Sequence, residues 1–373
     1  MKRITLIQLG IGTVGGEVLA QVLAQRERWR RDLALDIGIG AVVGRHGAMV
    51  ADDPAGLADE RLVAVRDVRR AGRGLAEIAG GALVPPGEAI DRLAAAGPMI
   101  LLDAAAGEET APLAARALAA GAGVVLSNKA PLALPRRNPL AVALWDAAGP
   151  GGHLRYEATC GAGLPVISTL RALLDTGDEP IEIVGALSGT LGAIFAHVAA
   201  GHPFSTAVQS AKERGYTEPD PRDDLSGLDV ARKALILART IGRQVDLDEI
   251  AVESLVPPHL RDVEVDEFLA RVGELDAELA TRAAQAKVAG ASLKYVATVT
   301  PTGSLAVGIR EIPGTGVLGA LQGPENVISI RTRRYDQYPL TIVGPGAGAA
   351  VTAAGMLRDA LDLAEAIGVA ARG

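Results

Sequence analysis

The 373 residues are 49% hydrophobic and 22% charged, with a net charge of −7. A chain of this length can bury one large or two medium cores, and its mild acidity argues against nucleic acid or an anionic membrane as the main partner. The single cysteine, Cys160, excludes an internal disulfide and fits a reducing cytoplasm; no charge-free run of eighteen apolar residues reads as a membrane span, and no leader-type cleavage site follows the first apolar run.

Residues 3–9 form an apolar run short enough for a buried parallel strand. GIGTVG at 10–15 follows, then a helical pattern through Val18, Leu19, Val22 and Leu23. This is G-x-G-x-x-G after a strand and opening a helix. Gly10 would make the tight turn, Gly12 would admit a pyrophosphate, and Gly15 would let helix and strand pack closely. The helix start, Thr13 and Val14 included, would offer unpaired N–H groups to phosphate. A second strand is expected at Leu35–Val43. Its end holds Arg45 where an NAD enzyme keeps an acid, so the reading leans to NADP, with NAD open and a solvated arginine as the plain alternative.

Residues 98–103 (PMILLD) read as another buried strand, followed by a helix over 109–120. The next strand, Gly123–Leu126, ends in Ser127, Asn128 and Lys129. A lysine there lies at the ligand-binding rim of a parallel sheet, unless it is merely a surface group. A proline-spaced loop and a helix lead to Gly149–Gly152, the expected domain boundary. In YEATCGAGLPVI (156–167), a carboxylate beside a glycine-loosened turn has the composition of a hard-cation site. Cys160 has no His with Asn or Asp arranged near it and reads as a small core or turn residue.

The second domain begins with a strand at Ile181–Leu187, and Ser188 or Thr190 then starts a helix. Further helices are expected over 205–214, 226–242 and 262–288, and strands over 292–300, 305–312 and 326–333. LTIVGPGAG at 340–348 reads as strand, glycine turn and helix of the first domain's type. The division is therefore 1–150, 151–337 and a returning 338–373. The fold class is α/β, a Rossmann-type doubly wound parallel sheet with a second α+β catalytic and dimerisation domain.

The richest stretch is GYTEPDPRDDLSGLDVARK at 215–233. Pro219 and Pro221 are expected to keep its first half out of a helix, and Ser226 to cap the next one, with Asp229 at its third position. Asp229 and Lys233 then share a helical face. Lys233 lies among Val230, Ala234, Leu235, Ile236 and Leu237, so it is expected to be buried and to need a carboxylate or a function. A solvated acidic helix start is the plain alternative.

GIGTVG, SNKAPLA (127–133), YEATCGAGLPVI, GALSGTLGAIF (185–195), the 215–233 run and GPGAG (344–348) together resemble homoserine dehydrogenase, in order along the whole chain. The resemblance is to the short form, without a fused aspartate kinase or an ACT domain. It implies NAD(P)-dependent interconversion of L-homoserine and L-aspartate 4-semialdehyde by a cytoplasmic homodimer. It makes Lys233 and Lys129 the proton-transfer candidates. Glu218 and Asp224 would hold the amino-acid end of the substrate, with Asp229 in the same polar network and Gly189, Thr190 and Tyr216 lining the site. Cofactor contacts would come from Gly10, Gly12, Thr13, Val14, Gly15, Arg45, Ser127, Asn128, Lys129 and Gly346. A monovalent cation, Na+ or K+, would lie against Glu157, Cys160, Ala162 and Leu164, largely through main-chain oxygens. Gly192 departs from the polar residue frequent in the family. Another two-domain oxidoreductase acting on an amino-acid semialdehyde, and a non-catalytic NADP-binding regulator, are the competing readings.

Overall fold

Strand β1, Lys2–Leu9, buries Ile4 and every residue from Leu6 to Leu9, so both faces of its carboxyl half are covered, as befits a central parallel strand. The computed structural model describes residues 1–79 and 83–367. They form two units: Met1–Gly163 with the segment from Gly348 onward, and Leu164–Ala347.

In the first unit β1 is joined by β2 (Leu35–Gly44), β3 (Gly47–Val50), β4 (Met99–Asp103), β5 (Gly123–Leu126) and β6 (Leu154–Arg155) in the order β3-β2-β1-β4-β5-β6. All pairs are parallel except β2 with β3, a hairpin turning at Arg45 and His46. This is the doubly wound, Rossmann-type order, and its direction reverses between β1 and β4. The chain's glycine turn leads into helix α1, Thr13–Asp32, which buries Val18, Leu19 and Val22 against the sheet. The helix Ala349–Ile367 adds Ala353, Met356, Ala360 and Leu363 to the same core. Each fully buried valine, leucine or methionine side chain among these contributes about 1.5–3 kcal/mol.

The second unit carries β7 (Pro180–Ala186), β8 (Ile250–Val252), β9 (Ala291–Val299), β10 (Leu305–Pro313), β11 (Asn326–Thr332) and β12 (Leu340–Gly344) in the order β12-β11-β7-β9-β10-β8. Its pairs are antiparallel except β8 with β10. Helices Gly189–Ala199 and Leu228–Thr240 pack against β9.

The structure corrects several expectations. The strand at 340–344 does not return to the first sheet: β12 pairs with β11, from Asn326 opposite Gly344 to Ile330 opposite Leu340. The return begins only at Gly348, and the first boundary falls at Gly163 rather than in Gly149–Gly152. Strand, glycine turn and helix is a local pattern, whereas the choice of sheet is made by a distant partner strand. Pro221 does not exclude helix: it is the first residue of Pro221–Leu225, capped by Asp220, whose side chain accepts from the Arg222 N–H at 3.0 Å. Proline at that position gives up an N–H that would be unpaired anyway. Ser226 ends this helix, and Gly227, left-handed at φ +74°, begins the next. The single helix expected over 262–288 is Val265–Arg271, a tight turn, and Asp276–Val288.

Candidate functional site

In the first unit the carboxyl ends of β2, β1, β4 and β5 are linked in sequence by main-chain bonds. Gly10 N donates to Val43 O, Ala104 N to Leu9 O and Ser127 N to Asp103 O, each at 3.0 Å. The three glycines of the turn differ in what surrounds them. Gly10 has φ +79°, and a Cβ there would lie 2.8 Å from the Ala104 carbonyl oxygen. A Cβ on Gly15 would lie 2.0 Å from the Gly10 oxygen. Gly12 has nothing within 4 Å of the same position, so the space above it is open. It begins α1, whose first turn has neither a capping side chain nor an acid. Thr13 is exposed and Val14 half-buried at the helix start, and Arg45 stands exposed in the β2–β3 turn. These features suit a group that brings phosphate to the turn.

Beneath the turn, buried Gln8 donates from Nε2 to the Leu9 and Gly10 carbonyls at 2.9 and 3.1 Å. At the end of β5, Ser127 Oγ donates to the Asp103 carbonyl oxygen at 3.1 Å. Asn128 is buried and donates to Gly107 O at 2.7 Å, and its Oδ1 receives Ala130 N–H at 3.1 Å. Lys129 follows, half-buried, as the N-cap of the short helix Ala130–Ala133.

The segment 157–162 is built from a single tight turn. Glu157 is 6% exposed and its N–H donates to Asp359 Oδ2 at 2.8 Å; Cys160 is fully buried and donates to Glu157 O at 3.3 Å. Ala162 is left-handed at φ +55°. Leu164 opens the second unit and is half-buried. Among the described residues no group of three or more His, Cys, Asp or Glu is placed to hold a metal, so a cation here would depend on main-chain oxygens.

The second unit gathers the 215–233 residues. Lys233 is 8% exposed. Its ammonium donates to the Leu187 carbonyl at 2.7 Å and pairs with Asp229 Oδ2 at 2.8 Å. Leu187 precedes Ser188, whose hydroxyl receives Leu191 N–H at 3.2 Å and caps the helix beginning at Gly189. From that helix Thr190 donates to the carbonyl oxygen of Tyr216, which is itself exposed. Glu218 N–H donates to Asp224 Oδ2 at 2.8 Å. Burial raises the Asp224 carboxyl above its ordinary value; bonds from the Glu218 N–H and Thr190 oppose the shift, and the charges of Glu218 and Asp229 add to it. Glu218 itself is exposed. So Lys233, Asp229, Asp224, Thr190, Tyr216, Glu218 and Gly189 all belong to this unit. Gly189 and Gly192 owe their missing side chains to close neighbours: a Cβ on either would lie 3.0 Å from the oxygen of Pro324 or Gly323 respectively. Gly346 also belongs to this unit, where a Cβ would collide with buried Asn326 at 1.9 Å.

Two supports went unseen in the sequence. Arg222 grips Asp220 through Nε and Nη2 at 3.0 and 2.7 Å. Its Nη1 reaches the carbonyls of Leu260 and Arg261 at 3.3 and 2.9 Å and that of Val263, so it ties the acidic elbow to a loop some forty residues on. The Asp-Pro-Arg order, an N-cap acid before an N1 proline, was the available signal. The second is Gly227: a Cβ there would meet the Tyr295 hydroxyl at 2.0 Å.

A family model described as homoserine dehydrogenase matches residues 165–361. Another, described as homoserine dehydrogenase, NAD binding domain, matches residues 10–153. A homoserine dehydrogenase of Emericella nidulans is 39% identical over 302 residues, which cover 76% of this chain and 80% of the relative. The chloroplastic bifunctional aspartokinase/homoserine dehydrogenase 2 of Zea mays is 35% identical over 364 residues. That match covers 96% of this chain but 38% of the relative, so the chain spans well under half of that longer protein. Among solved structures, a putative homoserine dehydrogenase from Archaeoglobus fulgidus superposes with a TM-score of 0.74 at 26% identity, covering 97% of this chain and 99% of that one.

Proposed function

Because the chain belongs to the homoserine dehydrogenase family, a family of NAD(P)-dependent oxidoreductases, we propose that it interconverts L-aspartate 4-semialdehyde and L-homoserine. The reaction lies on the route to threonine, methionine and isoleucine. The observation that carries the reading is Lys233: a residue 8% exposed, its ammonium charge-paired to Asp229 and bonded to the Leu187 carbonyl just before the Gly189–Ala199 helix.

When bound, the nicotinamide supplies or removes the hydride at substrate C4. Reduction of the aldehyde builds negative charge on its oxygen. A lysine ammonium stabilises that charge and gives the proton that completes the alcohol; in the reverse direction the amine takes it back. Lys233 and Lys129 are the two groups suited to this. Glu218 and Asp224 offer carboxylates to the substrate's ammonium, Asp229 holds the charge of Lys233, and Thr190, Tyr216 and Gly189 complete the lining. Gly10, Gly12, Thr13, Val14 and Gly15 fit the pyrophosphate, and Ser127 and Asn128 shape the rim beside it. Gly346, despite its packing on Asn326, stays in the cofactor set because it lies in GPGAG.

Arg45, with no acid beside it in the β2–β3 turn, favours the 2′-phosphate and hence NADP over NAD. A monovalent cation at Glu157, Cys160, Ala162 and Leu164 is the expected structural ion. Its support is a left-handed alanine that turns the main chain sharply beside a buried carboxylate. A cytoplasmic homodimer is the assembly proposed, to be read by light scattering. No helix among the described residues is long and apolar enough to cross a membrane.

Incubation with aspartate semialdehyde and NADPH tests the reading. Consumption of the reduced cofactor with homoserine as product is expected; cofactor binding with no turnover would replace the enzyme by a nucleotide-binding regulator.

A further inference from the structure

Asp103 is the last residue of β4 and is 0% exposed. Burying a carboxylate costs heavily unless it is paired or fully hydrogen-bonded. None of its side-chain partners is charged. Oδ1 receives Ala105 N–H at 3.0 Å, and Oδ2 receives Thr110 Oγ1–H at 2.6 Å and Asn128 Nδ2–H at 3.2 Å. Thr110 and Asn128 also touch each other, Nδ2 to Oγ1 at 3.0 Å. Desolvation raises the Asp103 carboxyl, while these donors pull it back. A strand end that needed only packing would hold leucine at less expense.

All the bonds converge on one short segment. The Asp103 main-chain oxygen receives both N–H and Oγ–H of Ser127. Its carboxylate fixes the amide of Asn128, whose own oxygen receives Ala130 N–H. Lys129 lies between these anchors. The helix it begins has four residues and returns Leu132 N–H and Ala133 N–H to the Lys129 carbonyl at 3.1 Å; a helix this short is marginal by itself, so the anchors at Ser127 and Asn128 add to the hold on the lysine's main chain.

We propose that Asp103, acting through Thr110 and Asn128, is the positioning residue that fixes Lys129 at the carboxyl rim of the first sheet for proton handling. The proposal rests on the reading of Lys129 given above. Asparagine at 103 keeps the volume but presents an NH2 where one of three donors needs an acceptor, so Asn128 loses its fixed orientation. Valine at 110 removes the hydroxyl with little change of shape; serine restores it.

The test compares Asp103→Asn, Thr110→Val, Thr110→Ser, Lys129→Ala and the Asp103→Asn/Lys129→Ala double variant. For each, kcat and both KM values are measured in aldehyde reduction, with NADPH Kd by fluorescence and the thermal midpoint. A displaced catalytic group costs about tenfold to hundredfold. Asp103→Asn and Thr110→Val are therefore expected to lose that much in kcat with NADPH Kd within about threefold. Thr110→Ser is expected to recover, and Asp103→Asn to add less than about twofold in the Lys129→Ala background. Where Asp103→Asn fails to fold, the valine–serine pair at 110 makes the same comparison. The proposal is overturned if folded Asp103→Asn keeps its kcat, if the losses multiply in the double variant, or if the whole loss appears in NADPH Kd. Should Lys129→Ala itself keep full turnover, the assignment of Lys129 falls and takes this one with it. An impaired Lys129→Ala beside an unimpaired Asp103→Asn sinks the Asp103 role alone.

Discussion

Replacing Lys233 by methionine separates chemistry from packing. Methionine fills nearly the same space without charge. The variant loses the bond to the Leu187 carbonyl and the pair with Asp229, whose side chain is 47% exposed and within reach of water. A bond from a charged donor is worth about 1.5–3 kcal/mol, and relief from burying an ammonium offsets part of that. The thermal midpoint should therefore move by only a few degrees. Turnover should move much further. A positioned group that transfers a proton contributes about 10²–10⁴-fold, which is about 2.7–5.4 kcal/mol at 1.36 kcal/mol per decade. Residues that fit the cofactor's phosphates belong to the other unit, so NADPH affinity should persist. Steady-state assay of aldehyde reduction, fluorescence titration of NADPH and a melting curve read the three quantities. A kcat within tenfold of the parent, or a Kd that rises as far as kcat falls, would remove Lys233 from the chemistry.

Glu218→Gln should raise the homoserine KM severalfold with little change in kcat, because it removes charge from an exposed acid proposed to hold the substrate's ammonium; an unchanged KM counts against that role. Arg45→Asp should move the ratio of kcat/KM values from NADP toward NAD, and a constant ratio would dismiss Arg45 from cofactor choice. The Asp224 carboxyl is raised by burial, so it holds its proton above the ordinary carboxylate range, and the charged form proposed to bind the substrate's ammonium is lost as pH falls toward that range. Homoserine KM should thus climb on acidification, and Asp224→Asn should raise KM and flatten that limb; a variant retaining the limb assigns it elsewhere. Gly227→Ala forces a side chain into φ +74° and against the Tyr295 hydroxyl, which now donates to Glu253 O. The left-handed cost of about 1–2 kcal/mol plus a lost hydrogen bond of about 1 kcal/mol should lower stability in urea by about 2–3 kcal/mol; a loss under 1 kcal/mol would show that Tyr295 moves freely.

The parts legible in the sequence were those that the chain settles locally. Gly15 is demanded by a backbone atom a few residues away, and the buried strands β1, β4 and β5 read as largely apolar runs because most of their residues are covered. Lys233 was legible because its neighbours at helical spacing are apolar. What could not be read was partner choice across distance. Nothing within 340–348 says that β12 will pair with β11 rather than with β6. The Asp103 carboxylate meets Thr110 and Asn128, which stand seven and twenty-five residues on. In the acidic elbow, Pro221 breaks nothing because Asp220 before it is a helix cap, and the cap that the pattern suggests for Ser226 is held by the left-handed Gly227.

The elbow's excess of acid has a division of labour that charge counting misses. An unassigned lysine among Glu218, Asp224 and Asp229 would neutralise whichever carboxylate it reached and would compete with an incoming ammonium group. Here the helix decides the matter: Asp229 stands four residues before Lys233 on the same face and takes its charge at 2.8 Å. Asp224 is left with the Glu218 N–H and Thr190 as partners and no cation among its dominant influences. Burial is the first cause of its raised proton affinity, and a carboxylate held above its ordinary range in a partly buried site is stabilised in its charged form by a cation arriving there. A lysine proposed to handle the proton and acids proposed to hold the substrate can therefore share one short stretch without cancelling each other.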